Sequence, residues 1–512
     1  MNSPTSDSST LYELALEGFT KHMTKIQKLI EELHTNNIRY CHWKSNLSLS
    51  KSLSGQTDID ILIHREDANL FRIILSHLCF RPAANKEGES FPSIEHYFAL
   101  DEESGDLVHV HAYFRVITGD SLSKNYRFPI EEMLLENTRL EHSARVPAKS
   151  AELIVFTLRI MLKHTSVVEL MLLARYWKEV QQETLWLLET DSIEETLNLL
   201  KCWLPPIPTD LFSECVAALK SPAPLFRRIF LGLQLRSKIR IYARHSALRV
   251  WLMGVRKFSA MVLRRLTRSH KELALRSGGT VIAFVGPEAT GKSTLIAEMR
   301  KWLGEHFALE QIHAGKPKST PLSFVPNLLV PALRSLFPNS RSTKLEAQYH
   351  YEEQLEKPRT DFPLIFAIRS ALLAYDRRAL LSHAYSQAAN GTIVLCDRYP
   401  SLQIGAPDSP QLSQLTTSPS KNSLRHRMAH IEARLYREIP PPDVVIYLSA
   451  SLEVTLSRNA NRGKKEPEDY VRRRHARGSN LDFGNVPVYK INTNQPFDET
   501  VLEVKKAIWS KL

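Results

Sequence analysis

The sequence feature that most constrains the fold is a phosphate-binding loop just past the middle of the chain. Gly286, Gly291, Lys292 and Ser293 complete the pattern G-x-x-x-x-G-K-[ST] within "FVGPEATGKST". The apolar run "TVIAFVG" enters this pattern, and "STLIAEMRKWL", which has helical periodicity, leaves it. A strand, a glycine-rich turn and a helix in this order let backbone N–H groups surround a phosphate. The sequence therefore predicts a P-loop that binds a nucleoside triphosphate.

Each position of the loop has an expected role. Lys292 is expected to reach the β- and γ-phosphates of ATP, and the Ser293 hydroxyl to bind Mg²⁺. The predicted ATP-binding set is Gly286, Glu288, Gly291, Lys292, Ser293 and Thr294. The loop alone does not separate a kinase from a GTPase or a motor protein. The apolar runs "GTIVLCD", "DVVIYLSA" and "VYKINT", separated by helical stretches, predict an α/β fold with a parallel sheet.

Charged residues after the loop indicate phosphoryl transfer. The strand in "GTIVLCDRYP" ends at Asp397, which we expect to order Mg²⁺, and the adjacent Arg398 can bind a second phosphate. Farther on, "SRNANRGKKEPEDYVRRR" contains Arg458 and Arg462, which predict a cationic lid over the phosphates. The alternative is that these cations lie on a solvated helix face.

These motifs resemble thymidylate kinase and its nucleoside-monophosphate kinase relatives, over Gly278 to Leu512. The similar stretches are "GPEATGKST", "DRY", "LLAYDRR", "SRNANRG" and "YKINTNQPFDETVLEV". The resemblance implies a P-loop kinase that uses ATP and Mg²⁺, with a nucleoside monophosphate as acceptor and dTMP as the first candidate. Because Ala289 and Thr290 leave the loop without an arginine, it also implies that Arg458 and Arg462 act in catalysis with Lys292 and Asp397.

The acceptor side departs from the family pattern. By resemblance, Arg377, Arg398 and Tyr399 bind the acceptor, and Arg377 precedes Asp397 by 20 residues as the pattern expects. Instead of an arginine-containing turn after the second strand, the chain has "HAGKP", where Lys316 could replace the arginine as a point charge. The alternatives are therefore a kinase for a sugar or envelope-glycan intermediate, and a nucleotide-binding regulator.

The region before the kinase-like part resembles the nucleotidyltransferase fold. Asp58 and Asp60 alternate on a predicted strand, "TDIDILI", so both carboxylates face one side and could hold divalent ions. "DLVHVHAYF" offers His109 and His111 on one strand face where a third acid is expected, and together the four could bind Mn²⁺ or Zn²⁺. The domain is an active transferase, a degenerate or regulatory domain, or a domain in which the histidines serve another role.

The predicted organisation has four parts. Residues 1–10 form a flexible tail, 11–150 an α+β nucleotidyltransferase-like domain, 151–276 a helical region with a basic connector, and 277–512 the thymidylate kinase-like domain. The five cysteines are scattered, which favours a reducing compartment, and the polar start does not resemble a signal peptide. We therefore expect a cytoplasmic protein, with a peripheral membrane location as one alternative.

Positive charge is concentrated in residues 221–276. The net charge of the chain is +12, and this segment contains 14 Lys or Arg and one acid, Glu272. Basic helices with bulky apolar residues can lie on an anionic membrane surface or bind nucleic acid. The plainest interpretation is a helical connector with solvated cations; a membrane surface is the next, and nucleic acid the least favoured.

Overall fold

The computed structural model describes most of the chain and two compact units within it. The described residues are 23–85, 93–120, 123–166, 169–170, 173–189, 193–221, 223–267, 273–321, 323–324, 364–403, 406, 408–412, 424–461, 467–478 and 481–512. The front unit comprises Met1–Pro82 and Ser90–His270, and the rear unit comprises Ala83–Glu89 and Lys271–Leu512.

The front unit begins with an α+β region. Its strands are β1 (Tyr40–His42), β2 (Ile59–Ile63), β3 (Arg81–Asn85), β4 (Ile94–Leu100), β5 (Leu107–Tyr113), β6 (Val116–Thr118), β7 (Tyr126–Phe128), β8 (Thr138–Glu141) and β9 (Ala144–Pro147). Its helices are α1 (Lys25–Thr35), α2 (Leu49–Leu53), α3 (Ala68–His77) and α4 (Glu131–Glu136). Within the sheet, β1, β2, β5 and β4 are neighbours in that order, with β2 and β5 parallel and the other pairs antiparallel.

Amphipathic periodicity explains how this sheet is covered. In α1, Ile26, Leu29, Ile30 and Leu33 recur at helical spacing and are buried, and the helix starts at a capping box between Thr24 and Gln27. These side chains share one core with alternate residues of β2, β4 and β5. The opposite face of the same strands carries polar residues, described below as a candidate metal cluster, beside buried apolar residues such as Leu62 and Tyr113.

Helices complete the front unit. They are α5 (Lys149–Lys163), α6 (Trp177–Leu188), α7 (Ile193–Trp203), α8 (Thr209–Lys220), α9 (Leu225–Lys238) and α10 (Ala247–Thr267). The described part of "VVELMLLARYWKEV" does not form one helix, because residues 174–176 make turns before α6 begins. Among the described helices, none combines the length and the apolar character needed to cross a bilayer.

The rear unit contains the predicted parallel sheet. Its strands are β10 (Leu273–Leu275), β11 (Thr280–Val285), β12 (Leu309–His313), β13 (Ile393–Asp397), β14 (Val444–Ser449) and β15 (Val488–Asn492). Its helices are α11 (Lys292–Gly304), α12 (Leu364–Ala389), α13 (Leu424–Arg437), α14 (Leu452–Ala460), α15 (Glu468–Gly478) and α16 (Phe497–Trp509). The strand order is β12-β13-β11-β14-β15, and all four pairings are parallel.

This sheet places the loop at the carboxyl ends of its strands. All residues of β11 are buried, as expected for a central strand covered on both faces, and the loop follows directly after Val285. The apolar runs predicted as strands form β11, β13, β14 and β15, so the α/β prediction for this half is confirmed. A parallel sheet with the phosphate loop after its central strand fits a P-loop kinase-like fold.

Candidate functional site

The phosphate loop depends on glycines at two positions. Gly286 has φ +135°, and a Cβ there would lie 2.2 Å from the Leu448 carbonyl oxygen. Gly291 has φ +90° and caps the start of α11. Both backbones therefore suit glycine alone, and they turn the loop so that its peptide groups encircle the N-terminus of the helix. Thr290, which is fully buried, closes the loop by donating its hydroxyl to the Pro287 carbonyl at 2.9 Å.

Lys292 is held inside this loop. Its Nζ donates to the carbonyl oxygens of Gly286 at 3.0 Å and Pro287 at 2.5 Å. Burial lowers the pKa of Lys292 to about 8 with help from Arg398, while Glu288 and Asp397 oppose the shift. The ammonium group is thus held by two loop carbonyls at the N-terminus of α11.

Glu288 joins two arginines from distant parts of the chain. Its Oε1 accepts hydrogen bonds from Arg398 Nη2 and from Arg474 Nη1, each at 2.6 Å. Burial alone would raise the pKa of Glu288, but Arg398, Lys292 and Arg474 lower it to about 2. Glu288 therefore balances part of the positive charge at the mouth of the loop.

Arg398 adopts a strained backbone at the end of β13. Its φ is +73°, a conformation that residues other than glycine seldom adopt, and its N–H donates to the Phe284 carbonyl at 3.0 Å. A Cβ on Gly315 would lie 2.5 Å from Arg398 Cδ, so the glycine of "HAGKP" leaves room for this side chain. Strain of this kind is found at functional sites, where surrounding contacts maintain it.

Arg377 is buried behind the cleft and is held on several sides. Its guanidinium donates to the Ala314 carbonyl at 2.8 Å, to the Asp408 carbonyl at 2.8 Å and to the Tyr436 hydroxyl. It also pairs with the Asp408 carboxylate at 3.2 Å, and Arg398 pairs with the same carboxylate at 3.3 Å. Asp408 therefore links the two arginines that the sequence assigns to the acceptor.

Several of these groups line a cleft beside the phosphate loop. Its lining is Val285, Gly286, Pro287, Glu288, Arg398, Tyr399, Asp408, Arg474 and Leu481. The cleft thus extends from the phosphate loop towards the arginines at the end of β13. A concave site with convergent cations suits small anionic ligands.

The residues assigned to Mg²⁺ lie on neighbouring elements. Ser293 is exposed in the first turn of α11, and Asp397 is half-buried at the end of β13, opposite Phe284 of β11. A hydroxyl and a carboxylate are hard oxygen ligands of the kind that Mg²⁺ takes beside substrate phosphates. The donor set therefore fits the ion.

The remaining predicted residues lie in different places. Thr294 and Lys316 are exposed, and Tyr399 is buried with its hydroxyl bonded to the Pro440 carbonyl. Arg458 donates hydrogen bonds to the Thr493 hydroxyl at 3.0 Å and to the Thr493 carbonyl at 2.6 Å. It does not line the cleft. Arg462 lies outside the described residues.

Two charged residues of the cleft are missing from the sequence-based set. Arg474 belongs to the "YVRRRHARG" run, where several cations follow one another and helical phase decides which one faces the cleft. Asp408 stands in the polar loop after "DRYP", a stretch without a motif. For Arg474 the signal was present in the arginine run, whereas for Asp408 no sequence signal is evident.

The front unit brings its four predicted metal-binding residues together. Asp58 Oδ1 lies 3.0 Å from His109 Nδ1, and Asp60 Oδ1 lies 3.3 Å from His111 Nδ1. Lys44 Nζ also donates to Asp60 Oδ1, at 2.6 Å. Burial would raise the pKa of Asp60, but Lys44 and His111 lower it well below its ordinary value. Both carboxylates therefore remain charged at neutral pH.

Comparison with known proteins finds similarity over less than half of the chain for each match below. No protein-family model matches. The chain is 24% identical over 239 residues to the uncharacterized ATP-binding protein YghR of Escherichia coli K12, covering 44% of this chain and 86% of YghR. It is 23% identical over 236 residues to the uncharacterized ATP-binding protein YghS of the same strain, covering 45% of this chain and 93% of YghS.

Two solved structures are also similar. One is deoxyadenosine kinase from M. mycoides with bound dATP, at 16% identity and a TM-score of 0.27, covering 44% of this chain and 98% of that one. The other is thymidylate kinase from Candida albicans, at 14% identity and a TM-score of 0.26, covering 46% of this chain and 90% of that one.

Proposed function

We propose that the rear unit is a thymidylate kinase-like enzyme, residues 277–512, that transfers the γ-phosphoryl group of ATP to a small phosphorylated acceptor. The observation that supports this most is the convergence of Lys292, Arg398 and Arg474 on Glu288 beside the phosphate loop. A loop that only binds a nucleotide needs its own lysine and backbone. Additional arginines beyond the loop suit a second anionic substrate and the charge that develops during transfer.

The donor site is the loop. Backbone N–H groups and the N-terminus of α11 bind the β-phosphate, and Lys292 leaves its two carbonyl partners to contact the β- and γ-phosphates. The ATP-binding names of YghR and YghS support the same donor for this chain. When bound, Mg²⁺ neutralises charge between the β- and γ-phosphates, and Ser293 and Asp397 are the residues that would hold it.

The acceptor site is the arginine side of the cleft. Arg398 binds the acceptor phosphate, while Arg377 and Asp408 position Arg398 from behind. In the reaction, an acceptor oxygen bonds to the γ-phosphorus, the bond from that phosphorus to the bridging oxygen breaks, and ADP leaves with the electron pair. By resemblance to the nucleoside-monophosphate kinases, dTMP is the first candidate acceptor.

Arg474 is the proposed catalytic arginine. Arg474 donates a hydrogen bond to Glu288 of the phosphate loop, whereas Arg458 donates to Thr493. When phosphates enter, Glu288 releases the guanidinium groups of Arg474 and Arg398 to the more highly charged ligand. We therefore assign the catalytic role expected for Arg458 to a residue of the next described helix.

The test is ADP release from ATP and Mg²⁺ with and without each member of a panel of nucleosides, nucleoside monophosphates and sugar phosphates. The proposal expects release that depends on an acceptor, with dTMP the best substrate. Turnover with a sugar phosphate alone would establish the sugar-kinase alternative. Tight ATP binding without acceptor-dependent release would contradict the proposal and favour a regulator.

We also propose that residues 11–150 form a nucleotidyltransferase-like domain and that residues 151–276 are its helical partner and connector. The mixed sheet supports this, with Asp60 on β2 directly opposite His111 on β5. Gly55, at φ +77°, makes the turn before β2 and would clash with Val108 if it bore a Cβ. Incubating the chain with radiolabelled nucleoside triphosphates tests the activity of this domain, and self- or substrate-labelling lost in Asp60→Asn would support it.

A further inference from the structure

Three histidines lie side by side on the polar face of the front sheet. His96 is on β4, and its register partner on β5 is His111, while His109 is two residues earlier on β5. One ligand nitrogen of each lies within 4.8 Å of those of the other two. His96 has no place in the nucleotidyltransferase resemblance, and antiparallel pairing alone brings it to the other two.

The spacing of these nitrogens suits a single metal ion. His96 Nδ1 and His109 Nε2 are 3.2 Å apart. Two nitrogens bound to one tetrahedral Zn²⁺ at about 2.0–2.1 Å lie about 3.3 Å from each other. The His109 and His111 rings are nearly perpendicular, at 81° with centroids 4.2 Å apart, so they do not stack on each other.

The two carboxylates orient the histidines of β5. Asp58 Oδ1 contacts His109 Nδ1 at 3.0 Å, and Asp60 Oδ1 contacts His111 Nδ1 at 3.3 Å. An imidazole whose Nδ1–H donates to a carboxylate has Nε2 deprotonated and available to a metal. Lys44 Nζ lies 2.6 Å from Asp60 Oδ1 and offsets part of the negative charge of the two aspartates. Asp60 therefore acts behind His111, whereas Asp58 also lies 3.9 Å from His111 Nε2 through its Oδ2.

We propose that the front unit binds one Zn²⁺ ion through His96, His109 and His111, with Asp58 and Asp60 as positioning residues. Three imidazoles favour Zn²⁺ over Mg²⁺, which prefers oxygen ligands. Three protein ligands also leave the fourth tetrahedral position open to water or a substrate oxygen. The site thus differs from the all-carboxylate arrangement that Asp58 and Asp60 would make alone.

The test uses the full chain, stripped of metal with a chelator and dialysed. Zn²⁺ titration by calorimetry is expected to show one site per chain, and Co²⁺ is expected to give visible absorption of a tetrahedral complex. His96→Ala and His96→Gln should each weaken Zn²⁺ binding by at least 100-fold, and circular dichroism should confirm that they fold. Asp58→Asn should weaken it 10- to 100-fold while one site remains.

The matched control is another pair of histidines among the described residues. His426 and His430 lie one turn apart on α13, with their Nε2 atoms 2.9 Å apart, and could bind Zn²⁺ themselves. His430→Ala should leave the high-affinity site unchanged. Zn²⁺ binding that survives both His96 variants, that is lost in His430→Ala, or that is absent from the wild type would overturn the proposal.

A second inference concerns α10 and does not depend on the metal site. Its apolar residues follow helical spacing on one face, yet they are exposed: Leu248, Trp251, Leu252, Val255, Phe258 and Val262. Trp251 is 63% exposed and Leu248 is 68% exposed. A stripe of this size on a soluble surface marks an interaction site.

Charge indicates the partner. The segment 221–276 has 14 cations and one acid, and Arg249 and Arg256 lie along one edge of the stripe on α10. Apolar side chains beside cations match the interface of a bilayer that contains anionic lipids, which attract nearby cations. We infer that α10 lies in the surface of an anionic membrane.

Flotation with vesicles of neutral lipid, and of neutral lipid with 30% phosphatidylglycerol as a chosen composition, tests this. The inference expects binding to the anionic vesicles that falls as salt is raised. Trp251→Glu with Val255→Glu should abolish it, whereas Leu140→Glu, which changes an exposed apolar residue of β8, should not. No binding to anionic vesicles, or loss of self-association instead of lipid binding in the double variant, would overturn it.

Discussion

At the residue scale, the arrangement around Glu288 distinguishes this cleft from a simple nucleotide-binding loop. Its carboxylate accepts from Arg398 and Arg474, which belong to elements far apart in sequence. Lys292 lies nearby, and its charge contributes to the low pKa of Glu288. In the absence of ligand, the carboxylate balances the cations that the phosphates of two substrates would otherwise neutralise.

Replacing Arg474 should affect catalysis more than replacing Arg458. Arg474→Ala is expected to lower kcat by 100-fold or more, because a cation that stabilises the transition state is lost. Arg458→Ala is expected to change kcat by less than tenfold, since its guanidinium is bonded to Thr493. Steady-state kinetics with ATP and the best acceptor measure both. Equal losses in the two variants would contradict the assignment of Arg474.

The pKa of Lys292 predicts how ATP affinity depends on pH. Burial lowers this pKa to about 8, so Lys292 is charged in the free protein below pH 8 and increasingly neutral above it. Phosphate binding requires the charged form, so binding above pH 8 must take up a proton. We expect Kd for ATP to be flat from pH 6.5 to 7.5 and then to rise up to tenfold per pH unit. Calorimetry measures it, and a flat Kd to pH 9.5 would argue against the role of Lys292.

At the element scale, the loop and its flanking strand and helix were predictable, but the cleft was only partly so. The pattern from Gly286 to Ser293 is local, and each residue of β11 is apolar, so sequence alone indicates both. The contact between Glu288 and Arg474 depends on how α15 folds back, which no local pattern encodes. Likewise, His96 joins His109 only through the register of β4 and β5.

Gly286→Ala should destroy the loop, whereas Gly304→Ala should not. A Cβ on Gly286 would lie 2.2 Å from the Leu448 carbonyl oxygen at a φ of +135°. A Cβ on Gly304, the last residue of α11, meets no atom within 4 Å. We expect the affinity for ATP to fall at least 100-fold in Gly286→Ala. In Gly304→Ala we expect the free energy of unfolding to rise by up to about 1 kcal/mol. Calorimetric titration and thermal melts test the pair, and normal ATP binding by Gly286→Ala would refute the geometry.

Glu432 makes the rear unit less stable as pH rises. Its carboxyl group, on α13, accepts from the N–H groups of Gln411 and Leu412, and burial raises its pKa from 4.5 to about 7. Between these pH values the folded state holds a proton that the unfolded state has lost, so the free energy of unfolding falls as pH rises. Glu432→Gln should therefore raise the free energy of unfolding by up to roughly 3 kcal/mol at pH 8 and leave it unchanged near pH 4.5.

Thermal melts of the wild type and Glu432→Gln at pH 5 and pH 8 measure this difference. Glu453→Gln, which changes an exposed acid of α14, controls for the loss of a charge. An equal gain at both pH values would show that the proton on Glu432 has no part in the effect.

At the scale of the whole molecule, the central claim is that the rear unit transfers phosphate and does not merely bind ATP. The front unit has the candidate Zn²⁺ site and the exposed apolar stripe of α10. The claim itself concerns the cleft between the loop and the arginines at the end of β13.

The most direct measurement is the ratio of ADP formed to acceptor phosphorylated, followed by ³¹P NMR in one reaction with ATP, Mg²⁺ and dTMP. The account predicts one ADP for each dTDP. It also predicts that Lys292→Ala abolishes both products, while Lys301→Ala, which removes an exposed lysine of the same helix, leaves them unchanged. ADP formed without a phosphorylated acceptor, from dTMP or any other member of the panel, would contradict it.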